Sequence, residues 1–234
     1  NVALAGDITV NTSCTITIAG SATFGVLRLL GGASGLFGPG YVLQSTVRAE
    51  GTGTGVRTVR TTANTTFTVG PTGVIEHASG CAGSLTIGTS TMTLSNQGTI
   101  LNNAVGGSLT INAVALTNQG QISCTDATLN LNGTWTSSGS VSIVRSTLNL
   151  GGFFSTSTWN IGAFSRTAGT VNITGNMGNS DVTLNAATGT WFLSGGTISG
   201  GPDFAYRLCS ERCSDSALER LDLSRWRVAY SGSE

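Results

Sequence analysis

The chain has 234 residues, a formal net charge of zero and only 9% charged residues, against roughly 25% in an ordinary soluble domain. A zero balance without a single lysine excludes the concentrated positive surface that nucleic acid or an anionic membrane requires, and no run of about 20 apolar residues offers a transmembrane helix. Disorder is excluded too: it goes with high net charge and few β-branched residues, whereas here Thr, Ser, Gly and Asn supply close to half of the chain and Val, Ile and Leu alternate with them.

Taken in chain order, the first alternating segment is Thr15-Ile16-Thr17-Ile18. Period-2 apolar/polar order over a few residues is the mark of a half-buried strand. The stretch from Gly31 to Gly40, rich in glycine and carrying Pro39, breaks the alternation and reads as a loop excursion. Alternation returns at Thr66-Phe67-Thr68-Val69 and becomes regular from Ser84-Leu85-Thr86-Ile87 onward. It recurs at Ser108-Leu109-Thr110-Ile111, Thr128-Leu129-Asn130-Leu131, Thr147-Leu148-Asn149-Leu150, Thr170-Val171-Asn172-Ile173 and Thr190-Trp191-Phe192-Leu193, at nearly even spacing. Between copies runs a second motif, apolar-x-Asn-x-Gly-x-apolar, as in Leu94–Ile100 and Leu116–Ile122, weakening at Trp135–Val141. Its Asn and Gly are expected to supply the left-handed or turn conformations that bend the chain.

A steady step of roughly 20 residues is too short for a propeller blade and is unexplained by a sandwich. It fits an all-β parallel β-helix (β-solenoid) with a lap of that length. One lap cannot bury its own apolar face, so each must stack on the next, with equivalent strands paired in parallel about 4.8 Å apart. Residues 1–201 then form the solenoid, with roughly ten laps on that step. The repeat is clear from residue 84 and extends back to 66. Trp135, Trp159 and Trp191 fall on apolar strand positions and are expected in the core.

Composition changes at Pro202. Residues 202–234 hold half of all charged side chains, and Ser216 to Glu219 has capping-box spacing ahead of Leu218 and Leu221. This segment reads as a charged C-terminal cap or docking element with one short helix near 215–224, contacting its partner through Pro202, Phe204, Tyr206, Leu218, Leu221 and Trp226. A cap has a physical reason, because an open solenoid end is an unpaired sheet edge. Of the five cysteines, Cys209 and Cys213 are the disulfide candidates. Cys14, Cys81 and Cys124 read as small buried residues. No spacing matches a metal site, and no cofactor is expected.

The Leu116–Ile122 and Thr128–Leu131 motifs resemble the repeats of filamentous-haemagglutinin-like and autotransporter-passenger proteins. The resemblance covers about residues 84 to 201 and lies at the level of architecture. It implies a right-handed coil, secretion and a cell-surface adhesive role, and it brings no catalytic residue with it.

A carbohydrate-cleaving β-helix needs two carboxylates a few ångströms apart. The solenoid portion has Asp7, Glu50, Glu76, Asp126 and Asp181, whose separations are not whole multiples of the repeat step. Glu76-His77 is the one adjacent acid/base pair, but neighbours on a strand point to opposite faces, and the pair reads as a solvated turn. The expectation is therefore a secreted or cell-surface structural and adhesive rod without catalysis. It would associate with itself end to end or with neighbouring segments, and would take a glycan ligand if any, with no nucleic-acid partner and no membrane insertion. The alternatives are a carbohydrate-binding or carbohydrate-cleaving β-helix, and an ice-binding solenoid, which requires a regular Thr-x-Thr array on one face.

Overall fold

A computed structural model describes residues 6–20, 22–62, 64–179 and 188–200. The tail residues Pro202, Phe204, Tyr206, Cys209, Cys213, Leu218, Leu221 and Trp226, expected to form a cap and a disulfide, lie outside the described residues, as does Asp181.

The described chain is a parallel β-solenoid of about eight turns with three strands per lap. The first face stacks the strands that begin with Ile8–Val10, Val26–Leu29, Thr46–Ala49 and Val74–His77. The second stacks Thr15–Ile18, Ser34–Phe37, Arg57–Thr61 and Ser84–Ile87. The third runs from Val42–Leu43 through Thr66–Val69, Thr93–Asn96, Ala115–Asn118 and Thr134–Ser137 to Thr197–Ser199. Every ladder is parallel. Late in the rod, Ser140–Leu150 and Phe164–Ile173 each run across the first corner, joining the first two faces into one sheet.

Lap length varies more than the repeat implied. Ile8 pairs with Leu27, whereas Thr46 pairs with Val74, so the second of these laps is half as long again as the first. The strands keep their length and register, so the extra residues sit in the corners. The longer laps between residues 46 and 121 are why about eight turns stand where ten were expected. The 31–40 stretch is also corrected: Ser34–Phe37 is a strand of the second face, paired with Thr15–Ile18 and with Arg57–Thr61. Its inward Gly35 leaves the space that the Phe37 ring and the Leu27 side chain occupy. A glycine-rich strand filled by its neighbours' side chains hides its alternation.

Inward positions form continuous columns. One runs Leu85, Leu109, Leu129, Leu148, Val171, Trp191, all at most 1% exposed. The expected tryptophans are in the core: Trp135 stacks on Phe154 with centroids 4.4 Å apart, and Trp159 packs against both Trp135 and Trp191. The Trp135 indole N–H donates to the Gly151 carbonyl at 3.1 Å. Offset and edge-to-face pairs of this kind add to the area they bury.

The Asn-x-Gly motif does something other than expected. Asn96 and Asn118 end strands, face inward and are fully buried. Asn96 Nδ2 donates to Asn118 Oδ1 at 2.7 Å, and Asn118 Nδ2 donates to Ser137 Oγ at 2.9 Å. The same amides donate to the carbonyls of Gln121 and Ser140 in the laps that follow. The ladder therefore fastens the third corner lap to lap. Nor are Gly98, Gly120 and Gly139 left-handed. A Cβ on Gly120 would run into the carbonyl oxygen of Gly98, and one on Gly139 into that of Gly120. They are glycine because backbone lies directly against backbone.

Left-handed geometry appears at the other two corners instead: at the second on glycines such as Gly88, Gly133 and Gly152, and also at the first. There a single non-glycine residue turns the chain in three successive laps: Asp126 (φ 54°), Arg145 (φ 48°) and Ala168 (φ 60°).

Candidate functional site

The first face carries a charged cluster near its start. Arg48 pairs in register with Glu76, and Arg48 Nε donates to Glu76 Oε2 at 2.6 Å. Arg28 sits between two acids, its Nη2 3.0 Å from Asp7 Oδ2 and its Nη1 3.1 Å from Glu50 Oε2. Hydrogen bonding to Arg28 holds the Asp7 carboxyl below its usual range. At the first corner, Arg145 Nε donates to Asp126 Oδ1 at 2.6 Å and lowers that carboxyl likewise. So Asp7 and Glu50 meet at one arginine, and Glu50 and Glu76 lie on neighbouring laps. The even repeat step had put no two acids together. The long lap from Thr46 to Val74 is what brings Glu50 and Glu76 onto adjacent turns. Each of the four described carboxylates accepts from an arginine.

The expectation for Glu76-His77 is half corrected. The two do point to opposite faces, but they lie on the strand Val74–His77 rather than in a turn, and His77 is fully buried. Its inward column continues to Asn102 and Cys124. Neither ring nitrogen makes a well-formed hydrogen bond, although the Asn102 side chain and the Gly83 backbone lie near the ring. Burial pushes the imidazole below its usual range and the guanidinium of Arg57 adds to that shift, while the Asn102 amide and the Gly83 backbone oppose it in part.

Arg57 itself was not foreseen. It occupies the place of the inward leucine column, paired with Leu85, and is fully buried. Its Nη2 donates to the carbonyls of Glu50 and Gly51 at 2.8 and 3.2 Å, and its Nη1 to that of Gly55 at 2.9 Å. Asn102 does similar work two laps on, donating to the Thr128 carbonyl and accepting from the Ala104 N–H. The long first corners of these laps turn backbone carbonyls inward, and buried polar groups must satisfy them. The sequence signal was present: reading Arg57-Thr58-Val59-Arg60-Thr61 in register with Leu85-Thr86-Ile87 puts Arg57 inside.

Cys81 and Cys124 are buried as expected, and burial raises both thiols; Cys14 is exposed, contrary to expectation. Among the described residues no group of three or more His, Cys, Asp or Glu is placed to hold a metal, and no helix is long and apolar enough to cross a membrane.

The outward ladders of the third face, and of the second face from Ser84 onward, are uncharged. On the second face, Asn172 Nδ2 donates to Asn149 Oδ1 at 2.8 Å and Asn149 Nδ2 to Asn130 Oδ1 at 2.7 Å. Asn130 Nδ2 then donates to Ser108 Oγ and Thr110 Oγ1, both at 3.0 Å. The third face presents Thr66 and Thr68, then Thr93 and Ser95, Ala115 and Thr117, Thr134 and Thr136, and then Phe153 and Ser155. No face has threonine at both outward positions on all of its described strands. A shallow groove of about 510 Å³ follows the second corner, between the second and third faces, lined by residues from Ser90 to Asn176.

No family model matches the chain, and no solved structure matches it. Over 38 residues it is 55% identical to the medium-chain-fatty-acid–[acyl-carrier-protein] ligase TtuA of Teredinibacter turnerae. That stretch is 16% of this chain, which spans only 6% of the ligase's length, so the likeness gives the rod no activity.

Proposed function

We propose that the chain is an extracellular or cell-surface rod whose work is structural and adhesive, without catalysis. The observation that carries this reading is the outward surface. It consists of hydrogen-bonded Asn, Thr and Ser ladders, and its described carboxylates are each held by an arginine. Such a surface is low in charge and long in one direction, which suits contact along a line. The filamentous-haemagglutinin-like resemblance of the repeats points the same way. A stack of parallel strands ends in strand edges, and these are templates for joining rods end to end.

Immunogold labelling of intact producing cells, with electron microscopy of the released material, tests the reading. Gold on the outer surface and rods or fibres in the released fraction are expected. Labelling confined to the cell interior overturns it. So does a hydrolase or lyase activity that disappears on changing one acidic residue.

A further inference from the structure

The geometry points to the second-corner groove as a binding site for a neutral polysaccharide strand lying parallel to the rod axis. This rests on the adhesive reading and names its site.

The groove exists because the second residue of the corner, which forms its floor, is glycine. In three successive laps the corner between the second and third faces is a dipeptide: Asn132-Gly133, Gly151-Gly152 and Thr174-Gly175. The glycines stack on each other's backbone: a Cβ on Gly152 would strike Gly133, and one on Gly175 would strike Gly152. What remains is a trough with a floor of peptide groups, running across the laps rather than along a strand. Its lining reaches from Ser90 to Asn176, a span of five laps, which at about 4.8 Å per rung is roughly 19 Å. A linear ligand fits that shape and a compact one does not.

The wall chemistry selects the class. The lining holds no charged residue, so neither a polyanion nor a polycation finds a counter-charge in it. Phe153, the first residue of its strand, stands 52% exposed in the wall, the one aromatic ring so exposed among the described residues. Val114, 47% exposed, extends the apolar side. Neutral donors and acceptors flank the ring in its own outward column, the Thr134 hydroxyl one lap before and the Asn176 amide one lap after, and the Asn112 amide joins them in the lining. Asn176 Oδ1 already accepts from Thr197 Oγ1 at 2.6 Å, which leaves its NH₂ as the group to offer a ligand. An open ring face flanked by amides and hydroxyls matches a pyranose chain, whose C–H face packs on the ring while its hydroxyls meet the amides. A protein strand is a poorer fit, because the strands at this corner are already paired on both sides.

Electrophoresis of the full chain through native gels cast with mannan, xyloglucan, dextran or mixed-linkage β-glucan tests the site. The wild-type chain is expected to be retarded by at least one of the four. Phe153→Thr, which installs the residue found at the same register one lap earlier, is expected to weaken retardation at least tenfold in polysaccharide concentration. Asn176→Ala is expected to weaken it severalfold, and Thr86→Ala on the second face to leave it unchanged. An unchanged urea midpoint for Phe153→Thr shows that the fold is intact. If that variant does unfold earlier, Asn176→Ala, on the surface, decides alone. No retardation by any neutral polymer, equal retardation of the groove variants, or binding to heparin alone overturns the groove site. Because the gels are independent of where cells place the protein, that failure leaves the rod reading standing, and the immunogold result judges the rod separately.

Discussion

His77 is the only histidine in the chain, and it is buried in the core with no well-formed hydrogen bond to either ring nitrogen and Arg57 beside it. Its folded-state pKa therefore lies below its unfolded value of about 6.5, first through loss of solvation and then through the neighbouring guanidinium. Above pH 6.5 both folded and unfolded chains hold it neutral and nothing is lost. Below that pH the unfolded chain takes up the proton and the folded chain does not, so stability falls as pH falls. The slope is at most about 1.4 kcal/mol per pH unit, and it levels off once the folded pKa is passed. No other side chain of ordinary pKa titrates between about pH 5 and 6.5, and the hydrogen-bonded Asp7 and Asp126 release their own contribution only at lower pH. Urea unfolding of the full chain at pH 7.5, 6.5, 5.8 and 5.0, followed by far-ultraviolet circular dichroism, reads the effect. The wild-type midpoint is expected to hold from 7.5 to 6.5 and then drop. His77→Leu, which removes two buried polar atoms that make no well-formed hydrogen bond, is expected to be at least as stable at pH 7.5 and flat down to pH 5.0. A wild-type midpoint that stays level to pH 5.0, or a leucine variant with the same acid slope, refutes the reasoning.

Two further outcomes follow from the corners. Asn118→Ala breaks the buried ladder between Asn96 and Ser137 and takes one bond each from Asn96, Ser137 and the Ser140 carbonyl. It is expected to cost about 2–4 kcal/mol, and a urea-derived loss below about 1 kcal/mol would show that the ladder is not holding the corner. Ala168→Gly relieves a left-handed residue on an exposed corner. A gain of about 0.5–1 kcal/mol is expected, since left-handed alanine costs roughly 1–2 kcal/mol and glycine returns part of that as chain entropy; a lower melting temperature would contradict it.

The sequence by itself determined the lap: alternation named the strands from Ser84 onward, set Leu85, Leu109, Leu129 and Leu148 inward, and put the tryptophans in the core. Alternation is a local property, and two or three laps of it suffice to see stacking. What only the tertiary structure decided lies at the corners and between laps. A short strand looks the same whether its lap is brief or long, so the pairing of Arg48 with Glu76 and the meeting of Asp7 with Glu50 at Arg28 were hidden in corner lengths. The Asn-x-Gly motif was visible, but its reason was not. Asn118 is inward because a neighbour in the next lap accepts its amide, and Gly120 is bare because the previous lap's carbonyl lies against it. Arg57 and His77 went inside for the same kind of reason: inward carbonyls of a long corner claim one, and strand register carries the other. Contacts made about one lap apart leave no mark on their immediate neighbours in sequence, and those contacts shape the groove beside Phe153.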